Sequence, residues 1–296
     1  MKKLLLSALV IVVLLSGCMD QSGMRYKNDL ISLDYLSISP SNPYAGSTVT
    51  IQFFVKNNGD NPIKGVSIDF SLAGGAFEAS GLKCQDGTSL GDSCKFAEIQ
   101  SFDLKKVTLV IKAPRVVART PFTISYKVSY EASGYRQANI PIVDGVERVV
   151  PSTKYKESSP TYGPVQADFE PPVGLERIEN NQVVKEYWGT EGQPFSIKIK
   201  LKDVASSSIG KANKFTLPKG AVSLILDGVQ VASGLPCDFE SGKSKKDVKL
   251  PGELFCNLIP LSFAQIERTA VIGVSFDYTY EYEKLVTLSV MPVENT

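Results

Sequence analysis

Val49, Ile51, Phe53 and Val55 alternate with Thr50, Gln52, Phe54 and Lys56. A period of two puts one set of side chains on each face of an extended strand, so this stretch has one apolar face to bury. The pattern recurs at Val66, Ile68, Phe70 and Leu72, at Val107, Leu109 and Ile111, and at Phe122, Ile124, Tyr126, Val128 and Tyr130. Later come Phe195, Ile197, Ile199 and Leu201, then Val222, Leu224 and Leu226. Ile272, Val274, Phe276, Tyr278, Tyr280 and Tyr282 form the longest run, and Val286, Leu288 and Val290 the last. Ile140–Val143 closes the first half as a separate short strand. No window holds a helical repeat, so the chain is predicted to be all-β. Asn57-Asn58-Gly59-Asp60-Asn61 and Asp227-Gly228 are read as hairpin turns, because Asn-Gly and Asp-Gly accept the positive φ that tight turns need.

The strands fall into two copies of one plan. Ala79-Ser80-Gly81-Leu82-Lys83-Cys84 recurs as Ala232-Ser233-Gly234-Leu235-Pro236-Cys237. Arg119-Thr120 before one long run matches Arg268-Thr269 before the other, and Gly46, Val49 and Ile51 match Gly192, Phe195 and Ile197. The order is kept at offsets of 146 to 153 residues, too long for a solenoid turn and right for a duplicated domain. Short strands with turn residues between them, over about 120 residues per unit, predict two tandem immunoglobulin-like antiparallel β-sandwiches. The expected division is 1–17 signal peptide, 18–29 lipidated tether, 30–150 first sandwich, 151–165 linker and 166–296 second sandwich. The prolines and serines of 151–165 read as a semi-extended connection.

The amino terminus places the chain. Lys2 and Lys3 precede an apolar run from Leu4 to Leu15, interrupted only by Ser7, and Ser16, Gly17 and Cys18 follow. As a helix that run is about 18 Å long, short of the roughly 30 Å hydrocarbon core, so a cleaved secretory signal is expected. Leu15-Ser16-Gly17-Cys18 resembles the lipobox of prokaryotic lipoproteins. The resemblance implies that Cys18 is lipidated and becomes the new amino terminus, tied to the extracytoplasmic face of the cell membrane. Five cysteines is an odd number. With Cys18 acylated, Cys84, Cys94, Cys237 and Cys256 remain as one near pair in each half, which predicts two bridges made in an oxidising compartment. A four-thiolate metal site is the rival, and the spacing lacks its CxxC knuckles. Pro43 to Leu72, with its Gly-x-x-Val-x-Ile strand and the run Val55-Lys56-Asn57-Asn58-Gly59, resembles adhesion-type Ig-like domains of prokaryotic surface proteins, including the CARDB type. That resemblance implies a spacer or binding module and transfers no catalytic residue.

Composition narrows the chemistry. The chain has no histidine, so Ser-His-Asp and Cys-His catalysis are excluded. Its net charge of +1 gives no bulk attraction to nucleic acid. What remains for catalysis is a carboxylate pair, or one of Ser206 to Ser208 with Lys211; a non-enzyme without cofactor or metal is expected. Tyr278, Tyr280 and Tyr282, with Phe276, are candidates for a ring-stacking platform, against the commoner outcome that such a face is core. Trp188 is a candidate contact residue or a core plug. Asp277, Glu281 and Glu283 offer a cation face or a merely solvated one. Lys243, Lys245, Lys246 and Lys249, inside the second cysteine loop, would meet an anionic lipid or polymer, or only water. Lys198, Lys200 and Lys202 read as guards on an edge strand. The function expected is adhesion, envelope architecture or docking of another surface protein or polymer. The rival is an accessory lipoprotein capturing carbohydrate or peptide for a transporter or surface complex.

Overall fold

The computed structural model describes residues 28–145, 150–161, 163–205, 212–216, 222–227, 229–231, 237–239, 252–260 and 267–293. The first repeat supplies β1 (Ile31–Ser39), β2 (Thr48–Asn57), β3 (Ile63–Leu72), β4 (Glu78–Cys84), β5 (Thr88–Leu90), β6 (Ser93–Ile99), β7 (Leu104–Lys112) and β8 (Thr120–Val143). Next come β9 (Lys156–Glu157), β10 (Val165–Glu170), β11 (Val173–Glu179), β12 (Gln182–Tyr187), β13 (Gly189–Thr190) and β14 (Phe195–Asp203). The chain ends with β15 (Ala212–Thr216), β16 (Val222–Asp227), β17 (Val229–Val231), β18 (Cys237–Phe239), β19 (Gly252–Pro260) and β20 (Glu267–Val290). Helical structure among the described residues is confined to a 3-10 turn at Ala73–Gly75, so the all-β expectation holds.

Each repeat builds a small sheet of its own: β1-β2-β7-β4 in the first, β10-β14-β19-β17 with β18 also on β19 in the second. Their inward faces are those the alternation picks out. Val49, Ile51, Phe53 and Val55 are buried on β2, as are Ile197, Ile199 and Leu201 on β14. The broad sheet opposite is common property. β8 and β20, each of 24 residues, pair antiparallel from Thr120↔Val290 through Tyr130↔Tyr280 to Val143↔Glu267 without a bulge. They form the middle of a nine-stranded sheet running β15-β20-β8-β3-β6-β5.

Because side chains alternate, even-numbered residues of both long strands share one face. Tyr282 donates its hydroxyl to the Ile31 carbonyl of the first small sheet (3.2 Å), while Tyr280 donates to the Asp203 carboxylate of the second (3.1 Å). The two small sheets therefore sit side by side on the same face and meet over these tyrosines. Since equivalent strands pair head to tail, an approximate two-fold axis normal to the sheet passes near Tyr130↔Tyr280. The first half of β8 packs under its own sheet, with Tyr126 stacked on Phe53 at 5.6 Å. Its second half crosses to the other repeat, where Arg136 bonds the Ala167 carbonyl and pairs with Asp168. Reciprocally, the end of β20 reaches the first repeat, and Met291 exchanges backbone hydrogen bonds with Pro43 and Ala45.

Several expectations are corrected. The two sandwiches are not separate bodies: one continuous cluster of buried side chains runs from Ile31 to Val290 through both. Ile140–Val143 is no separate strand, and Val286–Val290 continues from Tyr282. Gly134, in the middle of β8, lies directly opposite Phe276. A Cβ there would come within 2.3 Å of the Phe276 ring, so glycine marks a close approach and not a turn. Nor is 151–165 an open linker. β9 adds to β8 at Ala138 and Asn139, Ser158 and Thr161 bond Gln137 and Tyr135, and the Glu267 carboxylate accepts the backbone and hydroxyl hydrogens of Ser152 and Thr153. An extended, proline-interrupted chain finds backbone partners along the otherwise unpaired edge of β8. Finally, Asn57–Asn61 is no hairpin, since β2 and β3 lie in different sheets. Asn57 makes the crossing by donating to the Asn61 and Ile99 carbonyls and accepting from the Gly59 N–H. Asp227 likewise ends a strand of the broad sheet, and β17 belongs to the second small sheet.

Candidate interaction surface

The structure disperses most of the residues singled out by sequence. Tyr278, Tyr280 and Tyr282 are essentially inaccessible, so they are core and offer no stacking platform. Burial pushes their hydroxyls well above the usual phenol value, with the nearby Asp203 adding to this for Tyr280 and Asp29 for Tyr282. Trp188 is half-buried and lies over Gly174 at the base of the β11-β12 hairpin, outside the core cluster. Lys198, Lys200 and Lys202 guard no edge: β14 is interior to its sheet. They make cross-strand ion pairs with Glu170, Glu253 and Asp168. Desolvation alone would raise the Asp168 carboxyl, but Lys202 and Arg136 hold it below its ordinary value. Cys18, Lys243, Lys245, Lys246, Lys249, Ser206 to Ser208 and Lys211 lie outside the described residues.

The cysteine expectation finds support in the first repeat, where Cys84 and Cys94 are bonded. In the second, Cys256 is disulfide-bonded and the register sets Cys237 directly across from it. Of the acidic trio, Glu281 is paired with Lys127 at 2.9 Å. Among the described residues no group of three or more Cys, Asp or Glu is placed to hold a metal ion.

One surface is assembled that no single stretch of sequence announces. β3 runs beside β8 only as far as Ser67↔Ser129; beyond it Gly65 takes a φ of +61° while β3 keeps its register on β6. The chain resumes contact with that edge at Thr161, which exchanges hydrogen bonds with Tyr135. Between these points lies a notch of about 900 Å³. Its floor is the β8 edge at Glu131, Ala132 and Ser133, and its walls include Leu30, Asp60 and Asp277. Backbone direction follows from its neighbours. Tyr135 and Gln137 turn both their N–H and C=O toward Thr161 and Ser158. Odd-numbered residues of β8 therefore point these groups out of the β8-β20 ladder, and Glu131 and Ser133 present theirs to the notch. Three carboxylates, Asp60, Glu131 and Asp277, face it against one lysine, Lys64. A second hollow of about 940 Å³ lies at the far end of the first sandwich, beside Lys112, Arg115 and Val117.

No protein-family model matches the chain, and no curated protein matches its sequence. Among solved structures it is similar to BcpA, the major pilin subunit of Bacillus cereus, at 9% identity and a TM-score of 0.26 over 59% of each chain. Domains D2 and D3 of the major pilin SpaD from Corynebacterium diphtheriae give 12% identity and a TM-score of 0.25, over 64% of this chain and 86% of that one. The Enterococcus faecalis MSCRAMM ACE gives 9% and 0.23, over 90% and 96%. Likenesses this slight carry no functional argument. Among the described residues no helix is long and apolar enough to cross a membrane, which says nothing of strands.

Proposed function

We propose that the chain is an exported, non-enzymatic module, held at the extracytoplasmic face of a membrane by lipid on Cys18 and serving to dock another surface protein or polymer. The support for anchoring is the Leu15-Ser16-Gly17-Cys18 sequence after a short apolar run. The Cys84–Cys94 bond suits an oxidising compartment. A chain without histidine lacks the usual general base.

The observation that carries the docking reading is the shared ladder. Two paired 24-residue strands extend up to about 80 Å, with one core on their inner face, which suits a stiff platform. The described chain starts at Asn28, whose side chain accepts from Gln166 at the seam between the small sheets. Nine residues lie between it and Cys18, a reach of at most about 35 Å. A lipid there would hold the platform by its middle, close to the membrane. The rival reading, ligand capture on an aromatic surface, loses that surface with the burial of Tyr278, Tyr280 and Tyr282.

Mass spectrometry of the membrane-extracted protein tests the anchor. A diacylglyceryl-modified Cys18 at the mature amino terminus is expected, and Cys18→Ala should release the protein to the soluble fraction. An unmodified thiol in the mature chain would remove the anchor.

A further inference from the structure

We propose that the notch between β3 and Thr161 is a docking site for an extended polypeptide segment of alternating apolar and basic residues, which adds to the β8 edge as a short strand. This deepens the docking part of the proposed function and rests on it. The backbone carries the first half of the inference. Glu131 and Ser133 turn two N–H and two C=O groups into an open cavity, and no described strand covers this edge between Ser129 and Tyr135. An added strand would lie about 4.8 Å away and find the spacing that an antiparallel partner needs, which is the usual physics of strand addition.

Side chains select the occupant. The outer face of the broad sheet carries Glu131 and Asp277 as diagonal neighbours, since Glu131 pairs with Thr279 and Ser133 with Asp277. Asp60 faces the same space from the β2–β3 crossing. The inner side offers Leu30 and Ala132. In an added strand successive side chains point to opposite faces, so basic residues would reach over the carboxylates while the residues between them meet the apolar wall. An acidic or uniformly polar segment fits neither side.

The test uses the intact chain and fluorescently labelled acetyl-Val-Lys-Val-Lys-Val-amide, read by anisotropy. Saturable binding is expected, with new amide-exchange protection at Glu131 and Ser133. Ser133→Pro removes an outward N–H and spares the β8-β20 ladder, and should weaken binding at least ten-fold. Glu131→Lys with Asp277→Lys should do the same. On the unaltered protein, the peptide with N-methylated backbone amides and its Val-Glu-Val-Glu-Val counterpart should both fail to bind, and these comparisons hold even if Ser133→Pro folds poorly. No saturable binding at millimolar peptide, equal binding of the N-methylated peptide, or equal binding of the acidic peptide would each overturn the proposal. None of these would disturb the anchor, which the mass of Cys18 tests separately.

Discussion

The two repeats put the same cysteine to different use. In the first, Cys84 ends the outer strand β4 of the small sheet, faces Val107 across the ladder, and is bonded to Cys94 on β6 of the broad sheet. The bridge closes the sandwich across its open side. In the second, the repeat-equivalent Cys237 on β18 faces Cys256, which stands where the first repeat has the buried valine of β7, and both strands belong to one sheet. The first repeat's bond joins its two sheets, whereas the second repeat's two cysteines stand opposite each other within one sheet. Both cysteine pairs sit on strands other than β8 and β20. The difference teaches that the centre needs no covalent help, because each repeat is closed there by the far half of the other's longest strand.

If that is right, damage at the shared strands should be felt in both halves. Phe276→Ala, which removes the ring lying over Gly134 and stacked on Tyr278, is expected to cost about 3–5 kcal/mol. Trp188 fluorescence, reporting the second half, and amide exchange at Ile51, reporting the first, should lose stability together. Midpoints that separate would break the comparison. Cys84→Ser opens a link between residues ten apart and should cost about 3 kcal/mol on the loop-entropy model. Urea unfolding followed by Trp188 should shift although the tryptophan lies in the other repeat.

A smaller contrast falls across the two-fold axis. Tyr280 donates to Asp203, whereas the buried Tyr130 hydroxyl has no hydrogen-bond partner among the described residues. Tyr280→Phe should therefore cost about 1–2 kcal/mol, and Tyr130→Phe should be neutral or stabilising; thermal melts of the two variants sharpen the asymmetry. The smallest effect is at the stitched connection. Burial tends to raise the Glu267 carboxyl, but bonds from Thr153 and Ser152 outweigh it and pull the pKa from 4.5 to about 2. A depressed carboxylate stabilises above its unfolded value and loses that contribution as pH falls through its folded one. The advantage of the unaltered protein over Glu267→Gln in melting temperature should be full above about pH 5 and fade toward pH 2.

The strands themselves were legible. Alternation placed the inward faces of β2, β7 and β14, and the repeat announced the duplication. The continuity of β8 was nearly legible, because Ala132, Gly134, Arg136 and Ala138 keep the even phase that links Tyr130 to Ile140. What the pattern does not show is why glycine stands at position 134, since its partner Phe276 lies 142 residues away in sequence. The β11-β12 hairpin also left a signal: Asn180 and Asn181, both at positive φ, join Glu179 to Gln182 in the manner of a two-residue turn. The notch could not be read at all. Asp60, Glu131 and Asp277 come together only once the two long strands are paired, and nothing local in sequence specifies that pairing.

That pairing is also the claim most directly open to measurement. Ser125 and Leu285 are directly opposite, in a pair without mutual backbone bonds, where Cα atoms approach to about 4.5 Å and a disulfide fits. In a Ser125→Cys, Leu285→Cys variant, peptide mass mapping after oxidation should find residues 125 and 285 linked within one chain in high yield. Free thiols at both positions, or a bond found only between two molecules, would contradict a strand pair shared by the two repeats.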